Sequence, residues 1–303
     1  MPQMLKIVYY VEPDAASLAR RAAEYFVEAA ERAVAARGQA RIAISGGSTP
    51  KAALALLANP AQPWRQRMPW SRLDLWWVDE RSVPPDNPDS NFKMTREALL
   101  DHVPVKPEQI HRMEGELEPE AAAARYESEL RNSFRLEEGE APRFDAVALG
   151  MGPDGHTASL FPHTHALHEL GRLVTANHVE ATAVPELPYP GTGLPSGVFL
   201  KKTPPFAEAH KARELWNRSK DAWRITLTWP VINHAADVFF LVSGEDKARI
   251  LREVLMGPRD PDRLPSQLIA PANGILSLLV DRAAAALLPA PNAQGCGTLE
   301  RNE

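Results

Sequence analysis

The chain has 303 residues, 44% hydrophobic and 24% charged, which is enough for one large α/β domain or two smaller ones. Its 34 basic and 39 acidic residues leave a net charge of −5, with no basic excess or stripe to bind nucleic acid. One cysteine, Cys296, cannot make an intramolecular disulfide; no charged n-region precedes a long apolar run, and no apolar stretch reaches membrane-spanning length, so a cytoplasmic protein without a membrane partner is expected.

Residues 6–11 predict a β-strand. Asp14 then caps an alanine-rich helix over 15–36, with Leu18, Ala22, Tyr25, Phe26, Ala29 and Val34 along one face and Gly38 as its stop. A short strand at 41–44 runs into Ser45-Gly46-Gly47-Ser48-Thr49-Pro50 and a helix over 51–57. Ser48 or Thr49 serves as N-cap, and Pro50 suits the first turn. A helix start of this kind offers unpaired N–H groups and a positive dipole end, hence a phosphate cradle. No Gly-Lys-Ser/Thr follows, and the Gly-x-Gly-x-x-Gly dinucleotide fingerprint is absent, so no nicotinamide cofactor is expected.

Residues 73–78 predict a buried strand ending in Asp79-Glu80-Arg81. Charges there stand where open α/β sheets keep their ligands. Asp79 and Arg81 are either a structural ion pair or, through Arg81, an anion clamp or carbonyl polariser. Asn91 opens a helical segment to 102, as a cap or a sugar-hydroxyl ligand. A charged helix at 118–134 reads as a solvated outer layer.

The strand at 144–149 feeds Gly150-Met151-Gly152-Pro153-Asp154-Gly155-His156-Thr157-Ala158-Ser159-Leu160-Phe161-Pro162. Glycines after a strand let the backbone turn sharply and approach a ligand. A histidine there can exchange a proton near neutral pH. This is the candidate catalytic loop, with His156 as acid/base, Asp154 as its orienter or as part of the site lining, and Arg81 or the backbone N–H groups of Gly150–Gly155 facing a developing oxyanion. His163, His165 and His168 follow at a spacing without a cysteine or acidic ligand in register, which favours a surface or rim cluster over zinc.

Residues 179–223 are irregular and rich in proline and glycine, with an inserted helix over 206–221: a lid, an oligomer contact or an inert decoration. A strand follows at 224–228, a short helix at 230–236, and a buried strand at 238–242. Ser243-Gly244-Glu245-Asp246-Lys247 leads to a helix at 248–255. A lysine in a first helical turn is mildly unfavourable electrostatically, which makes Lys247 a candidate second phosphate ligand. A strand and an alanine-rich helix close the chain, and the tail 291–303 is expected to be disordered.

In one order along the chain, Ser45–Pro50, Trp77–Arg81 with Ser90-Asn91-Phe92, Gly150–Pro162, Arg224-Ile225-Thr226-Leu227-Thr228 and Ser243–Lys247 closely resemble the 6-phosphogluconolactonases, in the superfamily they share with the glucosamine-6-phosphate isomerases. The resemblance spans nearly the whole chain. It implies a three-layer α/β/α sandwich around a mostly parallel, Rossmann-like sheet, a single domain over 1–290, and hydrolysis of a 6-phosphogluconate lactone in the oxidative pentose phosphate pathway. It further implies no metal or organic cofactor, a small sugar-phosphate lactone as partner, and a monomer or homodimer. Position by position, His156 matches the general base, Arg81 the basic residue near the lactone, and Lys247 a phosphate- or substrate-binding lysine. Asp79, Asn91, Gly155, Arg224 and the Ser45, Gly46, Gly47, Ser48, Thr49 loop complete the expected substrate site.

Two features depart from the resemblance. His163 stands where relatives usually have glycine, and the path from 179 to 224 is longer than usual. The amino-sugar phosphate deaminase alternative carries a glutamate after the Asp-Gly-His loop, and residues 157–162 have none. A non-catalytic sugar-phosphate sensor would not need His156, Arg81 and Lys247 together.

Overall fold

The computed structural model describes residues 4–179 and 222–302, so the expected helix at 206–221 lies outside the described residues. The strands in chain order are β1 (Met4–Glu12), β2 (Ala40–Ile44), β3 (Leu73–Trp77), β4 (Asp79–Arg81), β5 (Ile110–His111), β6 (Ala146–Leu149), β7 (Val174–Val179), β8 (Ala222–Leu227), β9 (Asp237–Val242), β10 (Ile275–Asp281) and β11 (Cys296–Asn302). The helices are α1 (Ala15–Arg37), α2 (Ser48–Ala58), α3 (Pro63–Arg67), α4 (Asn91–Ala98), α5 (Pro119–Phe134), α6 (Trp229–Asn233) and α7 (Ala248–Met256).

The main sheet runs β11-β1-β10-β9-β6-β2-β3-β5. Every neighbouring pair is parallel except β1 with β11. A parallel sheet needs cover on both faces, and β6 and β9 are buried along their whole lengths. Two adjacent tryptophans on β3 show the layers, because neighbouring side chains on a strand point to opposite faces. Trp76 packs against Tyr126 and Phe134 of α5 on one side, and Trp77 against Phe92 of α4 on the other. The result is the expected three-layer α/β/α arrangement. The Asp14 carboxylate accepts from the Ser17 N–H at 2.7 Å to start α1, and Gly38, at φ 77°, ends it.

A second, antiparallel sheet, β4-β8-β7, branches off after β3. Val78 is the join: its N–H donates to Ile44 on the main sheet and its carbonyl accepts from Leu227 on the small one. The chain therefore leaves the parallel sheet at the point where the candidate site begins.

Several expectations need correction. Helix α2 starts at Ser48 and is capped by Gly47, so neither Ser48 nor Thr49 is its N-cap. Ser90, not Asn91, caps α4, its hydroxyl accepting from the Lys93 N–H. Residues after β10 make turns organised by Asp281 rather than an alanine-rich helix. The tail beyond 290 is not disordered: β11 pairs with β1 from Met4↔Asn302 to Tyr10↔Cys296.

Candidate active site

A cleft of about 310 Å³ opens at the carboxyl ends of β2, β6 and β9. The loop after β6 forms one wall. It folds on itself: the Gly152 N–H donates to the His156 carbonyl and the Gly155 N–H to the Gly152 carbonyl. Those two donors are thereby used inside the loop and cannot serve an oxyanion. The loop presents His156 to the cleft, with Nδ1 2.5 Å from Asp154 Oδ1 and the ring stacked on Phe161 at 4.1 Å between centroids. With Nδ1–H given to a carboxylate, a neutral imidazole keeps Nε2 as its acceptor. Glycine is required at 152 because a Cβ there would collide with the His156 ring. Ala158 lines the same wall at φ 49°, a conformation that costs a non-glycine residue energy and clusters at functional sites.

The turn after β2 supplies the floor. Gly46, Gly47, Ser48 and Thr49 line the cleft at the start of the 11-residue helix α2. Ser45 also lines it, but its hydroxyl donates to the Ala148 carbonyl at 2.9 Å. The backbone of Gly46 touches the Asn91 amide so closely that no side chain fits.

Asn91 thereby ties the turn to the second sheet. Its Nδ2 donates to the Asp79 carbonyl at 2.9 Å, and its Oδ1 accepts from the Arg81 guanidinium. Arg81 also donates to the Asp89 carbonyl. Asp79 accepts from the Ser159 hydroxyl at 2.7 Å and joins the catalytic loop to β4, so Asp79 and Arg81 are engaged with other groups rather than each other. Beneath them lies Glu80, only 2% exposed. Its carboxylate accepts from the N–H groups of Arg81, Asn91 and Phe92 and from the Ser90 hydroxyl. Burial pushes the Glu80 carboxyl above its ordinary range, and these donors oppose the shift.

Arg81 stands directly across the β4–β8 ladder from Arg224. Opposed like charges on one sheet face repel. Arg224 is nearly buried, and burial, with Arg81 next, lowers its pKa to about 10. Lys247 reaches the cleft from the β9 side, at the residue preceding α7, 3.5 Å from Asp246. The arrangement thus gathers three cations, a helix start and a carboxylate-held imidazole around one cleft.

Two expected site residues lie apart from its lining. Asp154 acts on the cleft through His156. Gly155, at φ 80°, faces Leu264 instead. Sequence reasoning missed Glu80, Gly152, Ser159 and Phe161 as site-shaping residues. Glu80 sat in a charged triplet that drew attention to its neighbours; Gly152 and Phe161 show their role only once the loop has folded around the His156 ring, and Ser159 only through its bond to Asp79, distant in sequence. The histidines after the loop are exposed and stand outside the cleft lining: His163 and His168 approach Asp262, and His165 the Ala176 carbonyl. Among the described residues no group of three or more His, Cys, Asp or Glu side chains could hold a metal ion, and no helix is long and apolar enough to cross a membrane.

Comparison with known proteins follows the same residues. The family model for glucosamine-6-phosphate isomerases/6-phosphogluconolactonase matches 13–186 and 202–278. A 6-phosphogluconolactonase of Synechocystis sp. is 38% identical over 85% of this chain and 89% of that protein. One from Nostoc sp. is 36% identical over 94% of this chain and 99% of that protein. Among solved structures, a 6-phosphogluconolactonase from Trypanosoma cruzi superposes with a TM-score of 0.69 at 26% identity, covering 92% of this chain and 96% of the other.

Proposed function

Because this chain belongs to the glucosamine-6-phosphate isomerase/6-phosphogluconolactonase family, we propose that its cleft opens the lactone of a 6-phosphorylated gluconate by water attack assisted by His156. The enzyme is a sugar-lactone hydrolase, a 6-phosphogluconolactonase in activity. The observation that carries the residue assignment is that His156, held from behind by Asp154, faces the same cleft as the Arg81–Arg224 pair and the α2 start.

The phosphate dianion seats against the Gly46–Thr49 turn, between Arg81 and Arg224. Two apposed guanidiniums gain most from a ligand of charge −2, which turns their repulsion into a clamp. Family resemblance suggests Arg81 beside the lactone; its ladder position opposite Arg224, and its link through Asn91 to Gly46, favour the phosphate end. Lys247 adds a third positive group to substrate binding. Anchoring at the phosphate orients the distant carbonyl and lowers the entropy cost of attack.

His156 Nε2 takes a proton from water as the oxygen bonds to the lactone carbonyl carbon. The carbonyl electrons move onto oxygen, and this oxyanion is stabilised by the positive field of the cleft. The tetrahedral species then collapses. The bond to the ring oxygen breaks, and the imidazolium returns its proton to that oxygen. The product is the open-chain acid with a free hydroxyl, and the enzyme is restored. Asp154 holds the imidazole in one tautomer and stabilises it while it carries the proton.

A coupled assay of lactone hydrolysis with wild type and His156→Ala tests this reading. Loss of turnover above the spontaneous rate with binding of 6-phosphogluconate retained is the expected result. Full turnover in His156→Ala removes the residue from the chemistry.

A further inference from the structure

A base must be held within a fraction of an ångström of its working position. The loop carrying His156 is gripped on both flanks by one short segment that none of the catalytic groups belongs to. Ahead of His156, the Gly155 carbonyl accepts from the Ser266 N–H at 2.9 Å. Leu264, fully buried, lies so close that a Cβ on Gly155 would be 2.9 Å from its Cδ2. Behind His156, Phe161 stacks on the imidazole, and two residues later His163 takes a left-handed φ of 60°. His163 is fixed there by Asp262: its N–H donates to the Asp262 carbonyl at 3.0 Å and its Nδ1 lies 2.6 Å from Oδ2.

Residues 262–266 thus brace the loop, and the brace needs an anchor of its own. Part of it comes from Arg259, which donates to the Gln267 carbonyl at 2.9 Å. More comes from the Gln267 side chain, which accepts from the Asp260 N–H and donates to the Pro258 carbonyl, and from Asn233, which donates to the Leu268 carbonyl; a further tie comes from the end of the chain. Arg301 on β11 is buried, and its Nη2 donates to the carbonyls of Gln267 at 3.1 Å and Ile269 at 2.9 Å. Pairing of Arg301 with Leu5 on β1 sets its position along the sheet. Charge-assisted bonds from a buried guanidinium are among the stronger ones a chain can make. The residues matched by the family model end at 278, before β11 begins.

We propose that β11 is a positioning element for the catalytic loop, with Arg301 fixing the 262–266 brace that holds Gly155 and His163, and through them the His156 imidazole. The proposal rests on His156 being the base, as argued above.

The test uses the full chain with Arg301→Gln and Arg301→Lys, reading kcat, KM, thermal melting and the His156 ring NMR signal, assigned by its loss in His156→Ala. In Arg301→Gln, kcat is expected to fall about tenfold, short of the ~10²-fold that a 1 Å misplacement can cost, while KM stays within about twofold. KM is spared because the anion turn and the guanidinium pair hang on β2, β4 and β8. The His156 signal shifts, and Arg301→Lys recovers part of the rate. Should Arg301→Gln not fold, Asp262→Ala loosens the brace from its other end and must give the same split. An unmoved His156 signal in a folded variant, or a loss of kcat that only tracks loss of folded protein, overturns the proposal. Failure of the underlying reading shows elsewhere, as wild-type turnover that survives His156→Ala, and the ring signal still judges the brace.

Discussion

A histidine becomes a base through its surroundings, and in the role proposed for His156 each of its neighbours has a separate task. Asp154 fixes the tautomer, Phe161 fixes the plane of the ring, and the missing side chain of Gly152 leaves the ring room to lie flat on the loop. His156→Ala is expected to lower kcat by about 10²–10⁴-fold, the usual worth of a positioned acid/base, with little change in affinity for 6-phosphogluconate. Steady-state kinetics with product-binding calorimetry checks this, and equal losses in both would make His156 a binding residue. On the proposed seating of the phosphate between them, Arg81→Ala and Arg224→Ala are expected to act mainly on KM, because that group would be remote from the bond that breaks. If Arg81→Ala instead lowers kcat at constant KM, the guanidinium faces the oxyanion.

The elements explain why those residues meet. The β2 turn, the β6 loop and the β9–α7 junction converge because parallel strands deliver their carboxyl ends to one edge. That much was legible in the sequence, from apolar runs ending in glycine and from a histidine and a lysine placed after them. Of the second sheet only β8 was legible, from the alternation at 224–228. β4 has three residues and all of them are charged, so no alternation marks it as a strand. β11 was hidden by a polar tail whose pairing with β1 spans nearly the whole chain. Glu80 belongs to this hidden layer: it joins the end of β4 to the start of α4, so Arg81 and Asn91 move as one unit. Glu80→Ala leaves four buried or half-buried donors unpaired, each at a cost of about 1–3 kcal/mol before relaxation. Expected outcomes are a clear drop in melting temperature and a raised KM. A variant that melts like wild type and keeps its KM would show that the α4 start holds itself in place.

At the scale of the whole molecule the cleft is a charged exception. The chain carries a net charge of −5, yet it gathers Arg81, Arg224 and Lys247 around one small volume. Without an anion that concentration costs stability. Burial and the neighbouring Arg81 bring the Arg224 pKa down to about 10, below that of an unfolded arginine; Asp79, Asp89 and Glu80 pull the other way without cancelling it. Near pH 7 the group is charged in both states, so the full cost is present; stability from this group recovers only as pH rises past about 10, where the folded form loses its proton first. Removing the charge should therefore help the empty enzyme and harm the loaded one. Arg224→Met is expected to raise the melting temperature of ligand-free protein by about 2–4 °C for each kcal/mol relieved. Added 6-phosphogluconate should stabilise wild type by mass action and stabilise Arg224→Met far less. Differential scanning calorimetry at pH 7, with and without the ligand, measures both shifts. If Arg224→Met melts lower when empty and gains as much from ligand as wild type, the guanidinium is a structural cation and the phosphate sits elsewhere in the cleft.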